Sequence, residues 1–395
     1  MKSDFQELRL NVEWRLKRRA RRVSAIADVP SDCNAVFFTV DDPIARNQVF
    51  PFYLYSSKLR QAYGIRFCEL DWRCLQAEEK PAAVFPRVQW VCLQTWFDLS
   101  GQQIEFLLER INQIFPNARI NYFDWFAPLD LRYAGRLQGW IHRYYKKQVL
   151  RDVEDYRRPH QGDTNLTDYY SRRFGLDMPV TMQEPVDDRF FSDKLLLGPS
   201  FYLAPYLISR FSRPMPVHTR KFDVHARIAI AGEPWYSRMR QEAKTALGAL
   251  QHRRVIQDGR VSRSQFMREV EASTLCFSPF GYGEICWRDF EAIACGAVLV
   301  KPDVGHIRMD PDLLLAEETY AAVRWDLADF RDTVEQLLGD ESRRSIMAAR
   351  AFEAVYQYLS SQRFVDQVQW LFTADPLYEA VDKDAAPHRA TPVRL

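Results

Sequence analysis

A chain of 395 residues exceeds what one ordinary core organises, so two domains are expected. A hydrophobic content of 47% with 14% aromatic residues excludes a disordered chain, and a formal net charge of +2 provides no field that would favour a nucleic-acid binder. Seven cysteines without CxxC spacing read as free, buried thiols, and seven histidines without HxxxH or HxH spacing mark no metal site. No run of about 18 apolar residues and no N-terminal apolar core of a signal peptide is visible, so the chain is expected to be soluble or peripheral, and cytoplasmic.

Residues 1–25 read as a helix ending in a basic run: Arg15, Lys17, Arg18, Arg19, Arg21 and Arg22. With Trp14 this run suits either a peripheral membrane contact or a solvated or subunit-contacting helix. Apolar strands are then expected at 34–40, 65–71, 88–94 and 119–124. Helices are expected within 48–63 and over 101–115, where Ile104, Leu107, Leu108 and Ile111 share one face. Strands separated by helical patterns imply a mainly parallel, Rossmann-like sheet over 26–212, with ligand-facing loops at its strand ends. Residues 140–156 read as a long polar helix, and 162–170 as a loop opening into a helix capped by Thr164 or Asn165. The stretch 212–218 carries two prolines and reads as a stiff linker. A second alternating series occupies 213–360, with strands at 222–230, 254–257, 274–278, 297–300 and 322–326. Helices are expected at 235–250, 262–273, 327–339 and 341–373. Residues 376–395 read as a flexible tail.

The second series is organised around residues 277–303, FSPFGYGEICWRDFEAIACGAVLVKPD. A Pro/Gly loop opens into a helix, the helix stops at Gly296, and a strand follows. Gly281 and Gly283 let the backbone approach a ligand, and a helix N-terminus there suits an anion such as a phosphate. At about 100° per residue, Glu284, Arg288, Glu291 and Cys295 fall on one face, and Cys286, Phe290, Ile293 and Ala297 on the other. The first face is either a solvated charge ladder or a row of ligand contacts.

This stretch resembles the donor-binding segment of GT-B glycosyltransferases that share a Glu-x7-Glu element followed by Glu-Ala-x-Ala-Cys-Gly, and it is similar to exostosin-like enzymes in its Arg-x-Phe-Glu-Ala-Ile pattern. The resemblance covers about forty residues, and Phe290 to Val300 carry its second half. It implies two Rossmann-like domains facing each other across a cleft, with the donor on the C-terminal domain and a final helix, near 361–375, crossing back to the first. It places Glu291 on the ribose of a sugar nucleotide. The first Glu of the element would fall at Gly283. Glu284 is displaced by one and is the candidate to face the donor sugar.

Glycosyl transfer also needs cations for the leaving diphosphate, and the candidates are Arg227, Arg288 and Lys301. Arg288 has a structural alternative as a partner of Glu284 or Glu291, and Lys301 as a strand-end cap. A base or charge-stabilising group from the first domain would come from Asp41, Asp42, Asp124 or Asp130, of which Asp41 and Asp130 are carried forward with Glu284 as catalytic candidates. Asp41 and Asp42 also suit a turn before Pro43. His306, Asn165 and Asp168 are weaker candidates. The expected activity is retaining transfer from a nucleotide-sugar co-substrate to a glycan or lipid-linked acceptor in surface polysaccharide or lipopolysaccharide assembly, without metal or other cofactor. The alternative is a non-catalytic module of the same fold that binds a glycan or a partner.

Overall fold

The computed structural model describes residues 2–76, 83–211, 214–257 and 259–373. The predicted tail, and the first two residues of the predicted linker, lie outside them.

Two parallel sheets dominate. The first contains β1 (Ala35–Thr39), β2 (Phe67–Asp71), β3 (Trp90–Leu93), β4 (Arg119–Asp124), β5 (Arg143–Lys146) and β6 (Leu195–Leu197), in the order β2-β1-β3-β4-β5-β6. Every pairing is parallel. The second contains β7 (Phe222–His225), β8 (Val255–Ile256), β9 (Ser273–Phe277), β10 (Val298–Pro302) and β11 (Ala321–Val323), in the order β8-β7-β9-β10-β11, again parallel throughout. In each sheet the first strand lies between the second and third, so the chain reverses direction of travel there. Ligands of such sheets sit beyond the strand C-termini at that reversal. In the second sheet those C-termini lead into Arg227 and into the Pro279–Glu284 loop.

One predicted helix is a strand. Residues 140–156 contain β5 rather than a long polar helix, because Tyr144 and Tyr145 are at most 1% exposed and pack between β4 and β6. Aromatic residues suit a pleated central strand, and burial on both faces removes the alternation that would have marked it.

α1 (Lys2–Arg21) lies along the first domain. Trp14 meets Phe50 and Tyr53 edge-on, at 5.1 and 4.8 Å between ring centroids. Arg18 makes a bidentate pair with buried Glu69, and Arg21 lies over Phe67. α2 (Pro43–Leu54) starts at Asp42, whose carboxylate accepts from the Ile44 and Ala45 amides. That is the capping role open to Asp42 from its place before Pro43. α4 (Asn165–Phe174) is capped by Thr164.

The domains are joined closely. Val149–Leu150 pairs antiparallel with Ile307–Arg308, and the Arg151 guanidinium donates to the carbonyls of Gly305 and Ile307. After α9 (Glu341–Ser360), α10 (Arg363–Gln367) returns to the first domain, as the resemblance implies. Phe364 stacks on Tyr55 and meets Phe52, while Gln367 donates to the Leu197 carbonyl. Among the described residues no helix is long and apolar enough to cross a membrane.

Candidate active site

α7 (Trp287–Ala294) begins later than the sequence pattern suggests. Cys286 is extended, and its amide is taken by the Asp289 carboxylate at 2.9 Å, so the first turn closes only at Trp287. Gly296 ends the helix at φ 63°. Glu284 therefore lies in the loop and not on the helix, and the expected row of Glu284, Arg288 and Glu291 does not form.

Each member faces something different. Glu284 is fully buried at the seam between the domains. Its Oε1 accepts from Asn165 Nδ2 on α4 at 2.7 Å and lies 3.4 Å from His306 Nε2. Its Oε2 is buried without a hydrogen-bond partner among the described residues. A buried carboxylate oxygen left open is costly, which makes it the strongest sign in this region that something else binds. Arg288 turns to the Arg227 carbonyl at 2.7 Å and lies over Phe266. Glu291 accepts from the Tyr206 hydroxyl at 2.8 Å. Burial raises its carboxyl above the usual range, opposed by Tyr206, Arg288 and Arg263.

The remaining candidates are largely committed. Arg227 holds Glu269 through two nitrogens, at 2.6 and 2.9 Å, and the Gly259 carbonyl. Lys301 is fully buried beside Asp289, donates to the Glu284 carbonyl and lies over the Phe280 ring. It thus ties β10 to the end of the loop. Gly281 donates its amide to the Gly283 carbonyl at 3.0 Å, and Gly283 faces the Ala127 carbonyl of the first domain. Asp41 is exposed and pairs with Arg46. Asp130 is buried and neutralised by Arg132, whose guanidinium also reaches Asp163. Asp124 accepts from Tyr144, Lys146 and the Phe126 amide. Asp168 accepts from the Gln161 amide and Arg172. These four aspartates hold structure, and only Asp41 stands open to solvent.

A cavity of about 1100 Å³ opens where α1, the start of α2, the segment Ala204–Tyr206, α6 (Arg263–Glu271) and α7 meet. Glu291 and Trp287 form its wall on the second domain, and Asn47 and Phe50 on the first. Trp287 Nε1 donates to Asn47 Oδ1 across it at 3.1 Å. Arg15, Arg18 and Arg19 of α1, and Arg22 just past its end, line it as well. Arg15, Arg19 and Arg22 stay exposed, as in the solvated setting, and stand at the mouth of an interdomain cavity. Like charges at i,i+4 destabilise a helix by about 0.2–0.5 kcal/mol per pair, so this row gains from an anion. Among the described residues no group of three or more His, Cys, Asp or Glu is placed to hold a metal ion.

Two Rossmann-like α/β domains with a returning terminal helix define the GT-B class of architecture. Residues 211–369 match the family described as glycosyl transferase-like, so the resemblance carried by residues 277–303 extends over the whole second domain. No curated protein matches. Among solved structures, a glycosyltransferase from Rickettsia africae is 10% identical at a TM-score of 0.47, with 89% of this chain and 100% of that one covered. An alpha-glucosyltransferase (AGT) in complex with UDP is 8% identical at a TM-score of 0.43, covering 89% and 100%. A mutant of S. aureus TarM in complex with fondaparinux, alpha-GlcNAc-glycerol and UDP is 10% identical at 0.41; the match takes in 72% of this chain and 55% of that one, little more than half its length. The fold assignment rests on the chain's own two sheets and on the family match.

Proposed function

We propose that the protein transfers a glycosyl group from a nucleotide-sugar to a glycan or lipid-linked acceptor, with retention at the anomeric carbon, in the assembly of a surface polysaccharide or lipopolysaccharide. The observation that carries this reading is Glu291: a buried carboxylate on the wall of the interdomain cavity, within a segment matching the glycosyl transferase-like family. Its acceptor oxygens suit a ribose diol, and Tyr206 fixes their direction. Glu284 is the second element. Asn165 and His306 hold its Oε1, and the open Oε2 suits a hydroxyl of the transferred sugar. There its charge would stabilise the positive anomeric carbon as the diphosphate leaves. Because Glu284 is closed over by Asn165, the sugar reaches it when the α4 seam opens, a gating step common in two-domain enzymes. The chemistry so described uses carboxylates and cations of the chain itself.

The test is transfer and hydrolysis with a panel of UDP-, GDP-, ADP- and CMP-sugars, with the product anomer read by NMR. Binding of one donor, with Glu291→Ala weakening it and Glu284→Gln lowering turnover at nearly unchanged affinity, supports the reading. Absence of binding to every donor sinks it in favour of a non-catalytic module.

A further inference from the structure

We infer that the N-terminal helix supplies the diphosphate clamp of this cleft, through Arg15 and Arg19 of α1. The inference rests on the donor reading of the Glu291 cavity and assigns the part of it that the second domain leaves unfilled.

The argument begins with charge. A nucleotide-sugar brings two negative charges to the cleft, and the expected cations of the second domain are engaged elsewhere. Arg227 is spent on Glu269, and Lys301 is buried beside Asp289 and the Glu284 carbonyl, while Arg288 donates to the Arg227 carbonyl, lies over Phe266 and does not line the cavity. The cavity that contains Glu291 is nevertheless strongly basic: Arg263 lines it from the second domain, and Arg15, Arg18, Arg19, Arg22 and Arg46 from the first. Arg18 is consumed by Glu69 and Arg46 pairs with Asp41, while Arg22 lies past the end of α1. Arg15 and Arg19 stand one helical turn apart on the same wall, and among the described residues neither has a carboxylate within ion-pair distance. Two guanidinium groups at that spacing match adjacent phosphoryl groups, with planar forks that take phosphate oxygens in pairs. The helix carrying them is anchored by Trp14 on Phe50 and Tyr53 and by the Arg18–Glu69 pair, so the pair is presented on a fixed support. The clamp thus comes from the first domain and the ribose contact from the second, so a bound nucleotide bridges both.

The test is calorimetric titration of the full chain with inorganic pyrophosphate, with UDP, GDP and ADP beside their nucleosides, and with farnesyl diphosphate. The wild type is expected to bind pyrophosphate and one nucleotide. Arg15→Ala with Arg19→Ala should weaken both by about tenfold or more and flatten the salt dependence, while nucleoside binding stays as it was. Circular dichroism checks that the double variant is folded. Glu291→Ala should weaken the nucleotide and leave pyrophosphate unchanged. Pyrophosphate binding without any nucleotide binding would sink the donor reading while the arginine site stands. No pyrophosphate binding by the wild type, or equal binding by the double variant, overturns the inference. Loss confined to farnesyl diphosphate overturns the assignment to the donor.

Discussion

Gly283 and Ala127 meet backbone to backbone across the two domains: a Cβ at 283 would stand far inside contact distance of the Ala127 carbonyl oxygen. The glycine that suggested a phosphate cradle thus also makes room for the other domain. Gly283→Ala should open the seam around Glu284 and cost on the order of 1–3 kcal/mol in urea denaturation. Gly281→Ala is the control, because the nearest atom to its Cβ is the Gly283 carbonyl oxygen at 3.4 Å, an ordinary contact. Equal stability of the two variants would contradict this account.

Tyr206→Phe removes the hydroxyl that orients Glu291. Burial already raises that carboxyl, and Tyr206 opposes the rise, so the variant should raise it further. We expect a loss of about 1 kcal/mol in donor affinity, read as a severalfold higher Kd with little change in turnover. An effect on turnover alone would place Tyr206 elsewhere in the reaction.

His225 should weaken the protein in acid. It is fully buried, and burial together with Arg288 lowers its pKa to about 4. Glu269, 3.4 Å away, opposes this, but Arg227 already saturates that carboxylate. The unfolded imidazole takes its proton near 6.5 and the folded one near 4, so the unfolded state binds more protons between those values and stability falls as pH falls through that window. His225→Gln should remove roughly 3 kcal/mol of that acid-side slope, measured by urea unfolding from pH 7 to 4.

Lys147 acts with the same sign in a higher pH window. Its ammonium is buried against the Trp125 carbonyl and the Phe201 ring, and burial, with Lys146 beside it, lowers its pKa to about 7. The unfolded lysine holds its proton to above pH 10, so stability rises with pH between about 7 and 10.5. Lys147→Met should be more stable than the wild type at pH 7, by on the order of a few kcal/mol, and flatter over that window. A variant no more stable at pH 7 would show that the ammonium is compensated.

The two alternating series were readable because parallel strands buried on both faces leave short apolar runs, such as Ala35–Thr39 and Val298–Pro302, between amphipathic helices. β5 was not, since Arg143, Tyr144, Tyr145 and Lys146 are polar by name but buried in place. At the site, the segment matching the family was legible, and Glu291 lies on the cleft wall. Helix periodicity misplaced Glu284, because the carboxylate of Asp289 delays the first turn of α7. The Arg15–Arg19 pair could be seen only as a basic run, since its setting depends on where α1 lies against strands far along the chain.

The returning helix bears on synthesis. Phe364 completes the cluster begun by Phe52 and Tyr55, and Asn121 of β4 donates to the Leu371 carbonyl. A ribosome delivers the first domain's sheet long before it delivers those closing pieces. Until residues 364–371 have followed the second domain out of the exit tunnel, the faces of Phe52, Tyr55 and Asn121 that they cover stay uncovered.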